Sequence, residues 1–369
     1  MGALQPPQGI AATVPFLDLA RQHEALKAAV LADLDAVIDA NAFTNGPHVA
    51  AFEEAFAASC GARECVGVAS GLDALRLGLL AAGLEPGEPV AVPAATFAAT
   101  FEAVAQAGGT PVPVDVRVDD YCLDAAQLPD GIRVVVPVHL YGQLADVRAL
   151  AGRVVVADAC QAHGARRDGA GAADGALAAA FSFYPGKNLG AFGDAGALVT
   201  SDGELAARVR ALREHGQTAK YHHELEGWTA RLDTLQAAVL LRKLPHLDEW
   251  NDRRRAAAAV YAEALAGVGD LRLPAAVPGS EPAWHLYVVR TADPDALAAF
   301  LRERGIGTGR HYPVPPHLSP AYAHLGHREG AFPVAERLSR ECLSLPIFPG
   351  ITEAELAHVA ESVAAYFDG

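Results

Sequence analysis

The chain has 369 residues, with 29 Lys and Arg against 44 Asp and Glu and a formal charge of −15. That balance excludes a nucleic-acid or anionic-membrane binder held by clustered positive charge. A hydrophobic fraction of 51% with 20% charged residues is the composition of a packed globular chain of about two domains, not of a disordered one.

Residues 1–13, rich in Gly, Pro, Gln and Ala, read as a loose tail, because they lack the basic and apolar stretches of a signal peptide. No apolar run approaches the roughly 18 residues of a membrane span. Cys60, Cys65, Cys122, Cys160 and Cys342 form no C-x-x-C pair. This argues against a disulfide framework or a metal knuckle and for a cytoplasmic protein with reduced thiols. Helices are expected at 24–40, where Leu26, Val30, Leu34, Val37 and Ile38 recur at helical spacing, and at 48–58. A buried strand at 65–68 runs into Ser70-Gly71 and a helix at 72–82, which Gly83 ends as a left-handed cap.

Strands are then expected at 89–92, 111–115, 133–138, 154–158, 178–183 and 195–199, with helices at 98–107 and 146–150 between them. This alternation predicts an α/β fold with an open, mostly parallel sheet flanked by helices. Ligands of such sheets sit at the carboxyl ends of the strands. The residues placed there are Ser70, Gly71, Thr96, His139, Asp158, Ser182 and Lys187. From 204 the pattern turns helical, with helices at 235–244 and 247–265. After a Gly/Pro-rich stretch come a strand at 284–290, a helix at 294–304, a strand or turn at 305–311 and a closing helix at 353–367. The expected organisation is a large domain at 14–250 and a smaller C-terminal α+β domain at 251–369.

Four features carry chemistry. Asp158 ends a run of apolar residues, where a carboxylate is costly unless paired; a turn aspartate is the ordinary alternative, and a partner to a cationic ring nitrogen is the functional one. Lys187 follows a buried strand among small and aromatic residues. A desolvated lysine amine has a lowered pKa and can form a Schiff base, whereas most loop lysines are simply solvated. Ser70-Gly71 opens a helix whose free N–H groups suit a phosphate, although a plain N-cap looks the same. Ser182 could add a hydroxyl to that anion. Phe97 could stack on a planar ring or sit in the core. In this order along an alternating chain, the four together describe a pyridoxal 5′-phosphate site. No metal-ligating spacing accompanies them.

The chain resembles the DegT/DnrJ/EryC1/StrS family of sugar aminotransferases, which have the fold type I architecture. The resemblance runs from Phe16-Leu-Asp-Leu to the closing helix. It rests on Phe52-Glu-Glu-Ala-Phe-Ala, Ser70-Gly-Leu-Asp-Ala-Leu, Pro137-Val-His-Leu-Tyr-Gly-Gln, Asp158-Ala-Cys-Gln-Ala-His-Gly-Ala, Phe181-Ser-Phe-Tyr-Pro-Gly-Lys-Asn-Leu-Gly, Arg231-Leu-Asp-Thr-Leu-Gln-Ala-Ala and His311-Tyr-Pro-Val-Pro-Pro-His. It implies that Lys187 is the Schiff-base lysine and proton shuttle and that Asp158 pairs with the pyridine nitrogen. Gln161 would bond the phenolic oxygen, Phe97 would stack on the ring, and Gly71 and Ser182 would hold the phosphate. His163 is implied near the ring as a further catalytic residue. Tyr184, His311 and Tyr312 would face the nucleotide sugar, and Arg231 would reach the partner subunit's site in a homodimer.

Two positions depart from the family pattern. Leu72 stands where the family usually has a phosphate-binding threonine, and Thr229 stands where it has an asparagine that crosses the dimer interface. Leu72 has no side-chain donor and Thr229 a shorter reach, so the expected phosphate grip leans on backbone N–H groups. The implied activity is transfer of an amino group from L-glutamate, leaving 2-oxoglutarate, to a keto group of a nucleotide-diphosphate sugar. A dTDP-3-keto-6-deoxyhexose in an antibiotic or other deoxysugar pathway is the first expectation. The alternatives are a 4-keto sugar, a UDP-2-acetamido-3-keto sugar, or a cofactor-binding regulatory protein without turnover.

Overall fold

The computed structural model describes residues 13–369; the tail expected at 1–13 lies, but for its last residue, outside the described residues. After a single helical turn, Ala20–His23, come α1 (Lys27–Asp39) and α2 (Pro47–Ser59). Then β1 (Glu64–Val68), α3 (Gly71–Ala81), β2 (Pro89–Pro93), α4 (Ala98–Gln106), β3 (Thr110–Val114), β4 (Val134–Val135), β5 (Val154–Asp158), β6 (Ala178–Ser182) and β7 (Gly196–Thr200) build the central sheet and its cover. Its order is β1-β7-β6-β5-β4-β2-β3. β3, β2, β4, β5 and β6 run parallel, and β7 alone is reversed, pairing antiparallel with β6 and β1. Strands buried on both faces need apolar residues at every position, which is why Val154-Val-Val-Ala and Ala178-Ala-Ala-Phe read as continuous runs.

One face of the sheet packs under α3, α4 and α5 (Gly203–Arg213), around Leu75, Leu79, Phe101, Val156, Leu198 and Val209. The other packs under α2 and α6 (Thr234–Lys243), around Phe52, Phe56, Phe181, Phe183, Val199 and Leu240. The helix α7 (Leu247–Ala264) spans two cores: Leu247 sits with the sheet, whereas Ala257, Ala258 and Tyr261 sit in a second core. The position 250/251, where the sequence placed a boundary, lies between them. The second core is built on β8 (Tyr287–Arg290) with α8 (Pro294–Glu303), and on α9 (Pro333–Glu341), β9 (Cys342–Leu345) and α10 (Glu353–Asp368). β8 and β9 pair antiparallel.

Four expectations change. The strand expected at 133–138 is reduced to Val134–Val135; Pro137 has no N–H to give to a ladder. The helix expected at 146–150 is a 3₁₀ turn, Val147–Leu150. Residues 305–311 form isolated bridges to Val14 and Ser344, not a strand. The strand expected from 284 begins at Tyr287, because Trp284 has φ +43°. The pattern had not anticipated α9, β9, the hairpin Gln217–Ala219 with His222–His223, or the small sheet of Arg166–Arg167, Ala170–Gly171 and Ser280–Glu281.

Candidate active site

The carboxyl ends of β1, β2, β5 and β6 open into a cavity of about 590 Å³. Its wall includes Ser70, Gly71, Leu72, Thr96, Phe97, Asp158, Gln161, Ser182, Tyr184, Lys187, His311 and Tyr312. Ten of the thirteen site residues expected from the sequence therefore converge on one space.

The floor is set by a close approach. α3 begins at Ser70, whose Oγ accepts from the N–H of Asp73 at 3.0 Å and donates to its carboxylate. The N–H groups of Gly71 and Leu72 have no intrahelical acceptor, as in any first turn. A Cβ at Gly71 would lie 2.6 Å from both Ser182 Cβ and Cys160 Sγ. Only glycine lets this helix terminus touch the ends of β5 and β6, which brings free N–H groups beside the Ser182 hydroxyl. The Leu72 side chain packs on the core instead.

Asp158 is buried at the end of β5. Its Oδ2 accepts from the Thr100 hydroxyl at 2.8 Å, and its Oδ1 accepts from the N–H of Cys160 at 3.2 Å. Thr100 has spent its one hydrogen on the carboxylate, so Thr96, 2.7 Å away, is the donor of the next bond. Gln161 is fixed at both ends: Oε1 accepts from the N–H of Tyr141 at 2.7 Å, and Nε2 donates to the Tyr312 hydroxyl at 3.0 Å. The rings of Phe97 and Tyr312 are tilted against each other with centroids 5.3 Å apart, and Phe97 stands 54% exposed at the mouth.

Lys187 lies in a tight loop, where its N–H bonds Tyr184 O at 2.8 Å and that of Ala191 bonds Phe183 O. It forms part of the cavity wall. Burial lowers its pKa below the ordinary lysine range, against the opposing pull of Cys160 and Asp158. The next residue, Asn188, anchors the loop by donating to Asn251 Oδ1 and Ala283 O and bonding the His285 ring at 3.1 Å. His285 is on the cavity wall and is held neutral by burial and by Lys187. His311 stacks on Phe16, bonds Ser344 Oγ at 2.8 Å, and is also held neutral, with its pKa pushed down to about 4 by burial.

Three expected residues stand elsewhere. His163 is buried off the cavity wall, packed on Phe181 and Phe183, and neither ring nitrogen has a hydrogen-bond partner. Its ring centroid lies 5.4 Å from that of Phe181 and 5.6 Å from that of Phe183, and burial together with the charge of Lys187 lowers its pKa to about 3. Thr229 is exposed and bonds His215 Nε2 at 3.1 Å, and Arg231 pairs with Glu214 at 2.8 Å; both lie outside this chain's own cavity. His139, four residues past β4, is structural, accepting from Ala145 N–H and donating to Ala172 O. Thr100, His285 and Arg254 are cavity or support residues that sequence reasoning missed. For Thr100, the only signal was a hydroxyl in the first turn of the helix that follows Thr96.

The model of the DegT/DnrJ/EryC1/StrS aminotransferase family matches residues 24–364. The chain is 48% identical over 360 residues to the dTDP-3-amino-3,4,6-trideoxy-alpha-D-glucose transaminase of Streptomyces venezuelae, covering 95% of each chain. The crystal structure of S. venezuelae DesV matches with a TM-score of 0.95 at 46% identity, over 97% of this chain and 100% of that one. The structure of NtdA from Bacillus subtilis with bound cofactor PMP matches with a TM-score of 0.89 at 29% identity, over 98% of this chain and 87% of that one.

Proposed function

The chain belongs to the DegT/DnrJ/EryC1/StrS aminotransferase family, and from that membership we propose that it transfers an amino group from L-glutamate to the keto group of a nucleotide-diphosphate sugar, with pyridoxal phosphate as cofactor. Its fold is type I of the aminotransferases. The sugar that best fits is a dTDP-3-keto-6-deoxyhexose, by similarity to the S. venezuelae transaminase. The observation that carries the reading is the convergence of Lys187, Asp158, Gln161, Ser182 and the Gly71 helix terminus on one cavity. These are the groups that the cofactor needs, and the absence of a Cβ at Gly71 lets the helix terminus pack against Ser182 and Cys160.

Pyridoxal phosphate, when bound, supplies an aldehyde that exchanges amino groups and a ring that draws off the electrons of a broken C–H bond. The rest is done by side chains. Asp158, held by Thr100 and the Cys160 N–H, presents a fixed carboxylate to a protonated ring nitrogen. Gln161 is oriented to meet the phenolic oxygen through the amide that Tyr312 shares. The N–H groups of Gly71 and Leu72, with Ser182, hold the phosphate. Lys187 Nζ, with its pKa lowered, is poised to take a proton from the donor carbon and return it. Phe97 and Tyr184 bound the mouth where the sugar enters. The protein acts as a homodimer in which Thr229 and Arg231, outside their own cavity, serve the partner subunit's site.

The test is an absorption spectrum with added cofactor, before and after L-glutamate. The expected result is a band of bound pyridoxal phosphate that glutamate converts to the pyridoxamine form, that keto sugars restore, and that Lys187→Ala lacks. A band untouched by glutamate overturns the donor assignment, and no band overturns the cofactor.

A further inference from the structure

Tyr141 is buried in the turn Leu140–Gly142 after β4, and its backbone is left-handed, with φ +58° and ψ 7°. That conformation is costly for a residue with a Cβ and persists only where its surroundings require it. All three polar groups of Tyr141 are engaged, each with a different segment. Its N–H donates to Gln161 Oε1 at 2.7 Å, its carbonyl accepts from the N–H of Leu286 at 3.4 Å, and its hydroxyl donates to the carbonyl of His311. Burial pushes the phenol well above its ordinary pKa, so the hydroxyl keeps its hydrogen. Tyr141 itself is not part of the cavity wall, so what it does there it does through other residues.

These bonds close a ring. Gln161 Nε2 donates to the Tyr312 hydroxyl at 3.0 Å, Tyr312 follows His311 in sequence, and the His311 carbonyl accepts from the Tyr141 hydroxyl. The other three members, Gln161, His311 and Tyr312, all stand on the cavity wall. The segment that carries His311 is fastened on a second side. Gly309 and Ser344 of β9 exchange backbone hydrogen bonds at 3.2 and 2.8 Å, and Ser344 Oγ bonds the His311 ring at 2.8 Å. β9 thus holds the segment from one side, and Tyr141 ties it to the turn after β5 that carries Gln161. The Tyr312 hydroxyl accepts from Gln161, and among the described residues its own hydrogen has no acceptor. It is therefore a donor on the cavity wall, and the main chain held at His311 fixes where it stands.

Resting on the reading that a nucleotide-diphosphate sugar is the acceptor, we propose that Tyr141 is a positioning residue for that acceptor: its hydroxyl holds the His311–Tyr312 segment against Gln161 and so sets where the Tyr312 hydroxyl meets the sugar nucleotide.

The test uses the full-length, cofactor-loaded protein. Two sugar nucleotides without a keto group, dTDP-glucose and UDP-N-acetylglucosamine, are titrated by calorimetry, and conversion by L-glutamate is followed by cofactor absorbance. Tyr141→Phe keeps the ring and the main-chain bonds and loses only the hydroxyl, so the fold is retained. It should bind the preferred sugar nucleotide about fivefold more weakly, while conversion by L-glutamate stays within about twofold. In a Tyr312→Phe background the same change should weaken binding by less than about twofold, since the hydroxyl that Tyr141 places is already gone. A merely structural role gives equal losses in the two backgrounds. Unchanged affinity in Tyr141→Phe overturns the proposal, as do equal losses in both backgrounds or a matching loss of glutamate conversion. Wild-type protein that L-glutamate converts but that binds neither sugar nucleotide removes the acceptor reading, and the proposal falls with it. Wild-type protein that binds one of them without being converted removes the donor reading alone, and the titrations still decide.

Discussion

Thr100 donates its hydroxyl hydrogen to Oδ2 of Asp158 at 2.8 Å, across 58 residues of chain and between two different elements. The carboxylate is thereby fixed on one edge, and the Cys160 N–H fixes the other. A hydrogen bond to a charged group contributes about 1.5–3 kcal/mol. Thr100→Val keeps the shape and removes the donor. It should weaken cofactor retention by about tenfold, and Thr100→Ser should restore it. Equilibrium dialysis against pyridoxal phosphate reads both. Equal retention in all three proteins would show that Asp158 needs no such support.

The contact of Gly71 with Ser182 makes a second prediction. A Cβ 2.6 Å from Ser182 Cβ cannot be accommodated without moving α3 off the sheet. Gly71→Ala should cost about 1–3 kcal/mol of cofactor affinity. Gly83→Ala is the control, since a Cβ there meets nothing within 4 Å although φ is +76°. It should lower stability by about 1 kcal/mol through backbone strain and leave cofactor affinity alone. Dialysis and thermal melts separate the two effects.

His163 supplies a pH prediction. Burial pushes its pKa down to about 3, below the ordinary value of 6.5. The unfolded chain then binds a proton that the folded chain refuses, so its contribution is complete above about pH 6.5 and is lost as pH falls towards 3. His139 and His311, each lowered to about 4, act in the same direction. His163→Leu, which forfeits no hydrogen bond, should flatten the acid limb of stability by about 1.4 kcal/mol per pH unit. Turnover should stay within about threefold. Urea melts from pH 4 to 7 check the slope, and a folded variant with turnover lost by orders of magnitude would place His163 in the catalytic set.

Gln161 joins two supports of unequal weight. Gln161→Leu leaves the buried Tyr141 N–H without an acceptor and should destabilise the protein by about 1–3 kcal/mol. Tyr312→Phe removes only the bond from Nε2, beside the open cavity where water can replace it, and should cost under about 1 kcal/mol. Denaturant midpoints of the two variants should rank in that order, and a reversed rank would mean that Tyr312 is what orients the amide.

Much of this protein was decided locally. Apolar runs at 154–158 and 178–183 dictate strands buried on both faces, and the chemistry-bearing residues follow such strands in order. Ser70, Asp158, Ser182 and Lys187, which line one cavity, were therefore legible in the sequence as residues at strand ends. Helix bounds were legible too, since caps such as Ser70 and Gly83 are short-range features. Tertiary structure alone decided which side chains meet. The bond of Thr100 to Asp158 depends on α4 and β5 being neighbours across the sheet order, which no local period encodes. His163 follows the right strand but packs on Phe181 and Phe183, a placement set by the turn after β5 and not by any local period. Arg254 reads in sequence as one of three arginines on an ordinary polar helix. It becomes a buried cation on the cavity wall only when α7 lies against the loops before β8 and after β9, because burial is a property of the packed neighbours and not of the residue.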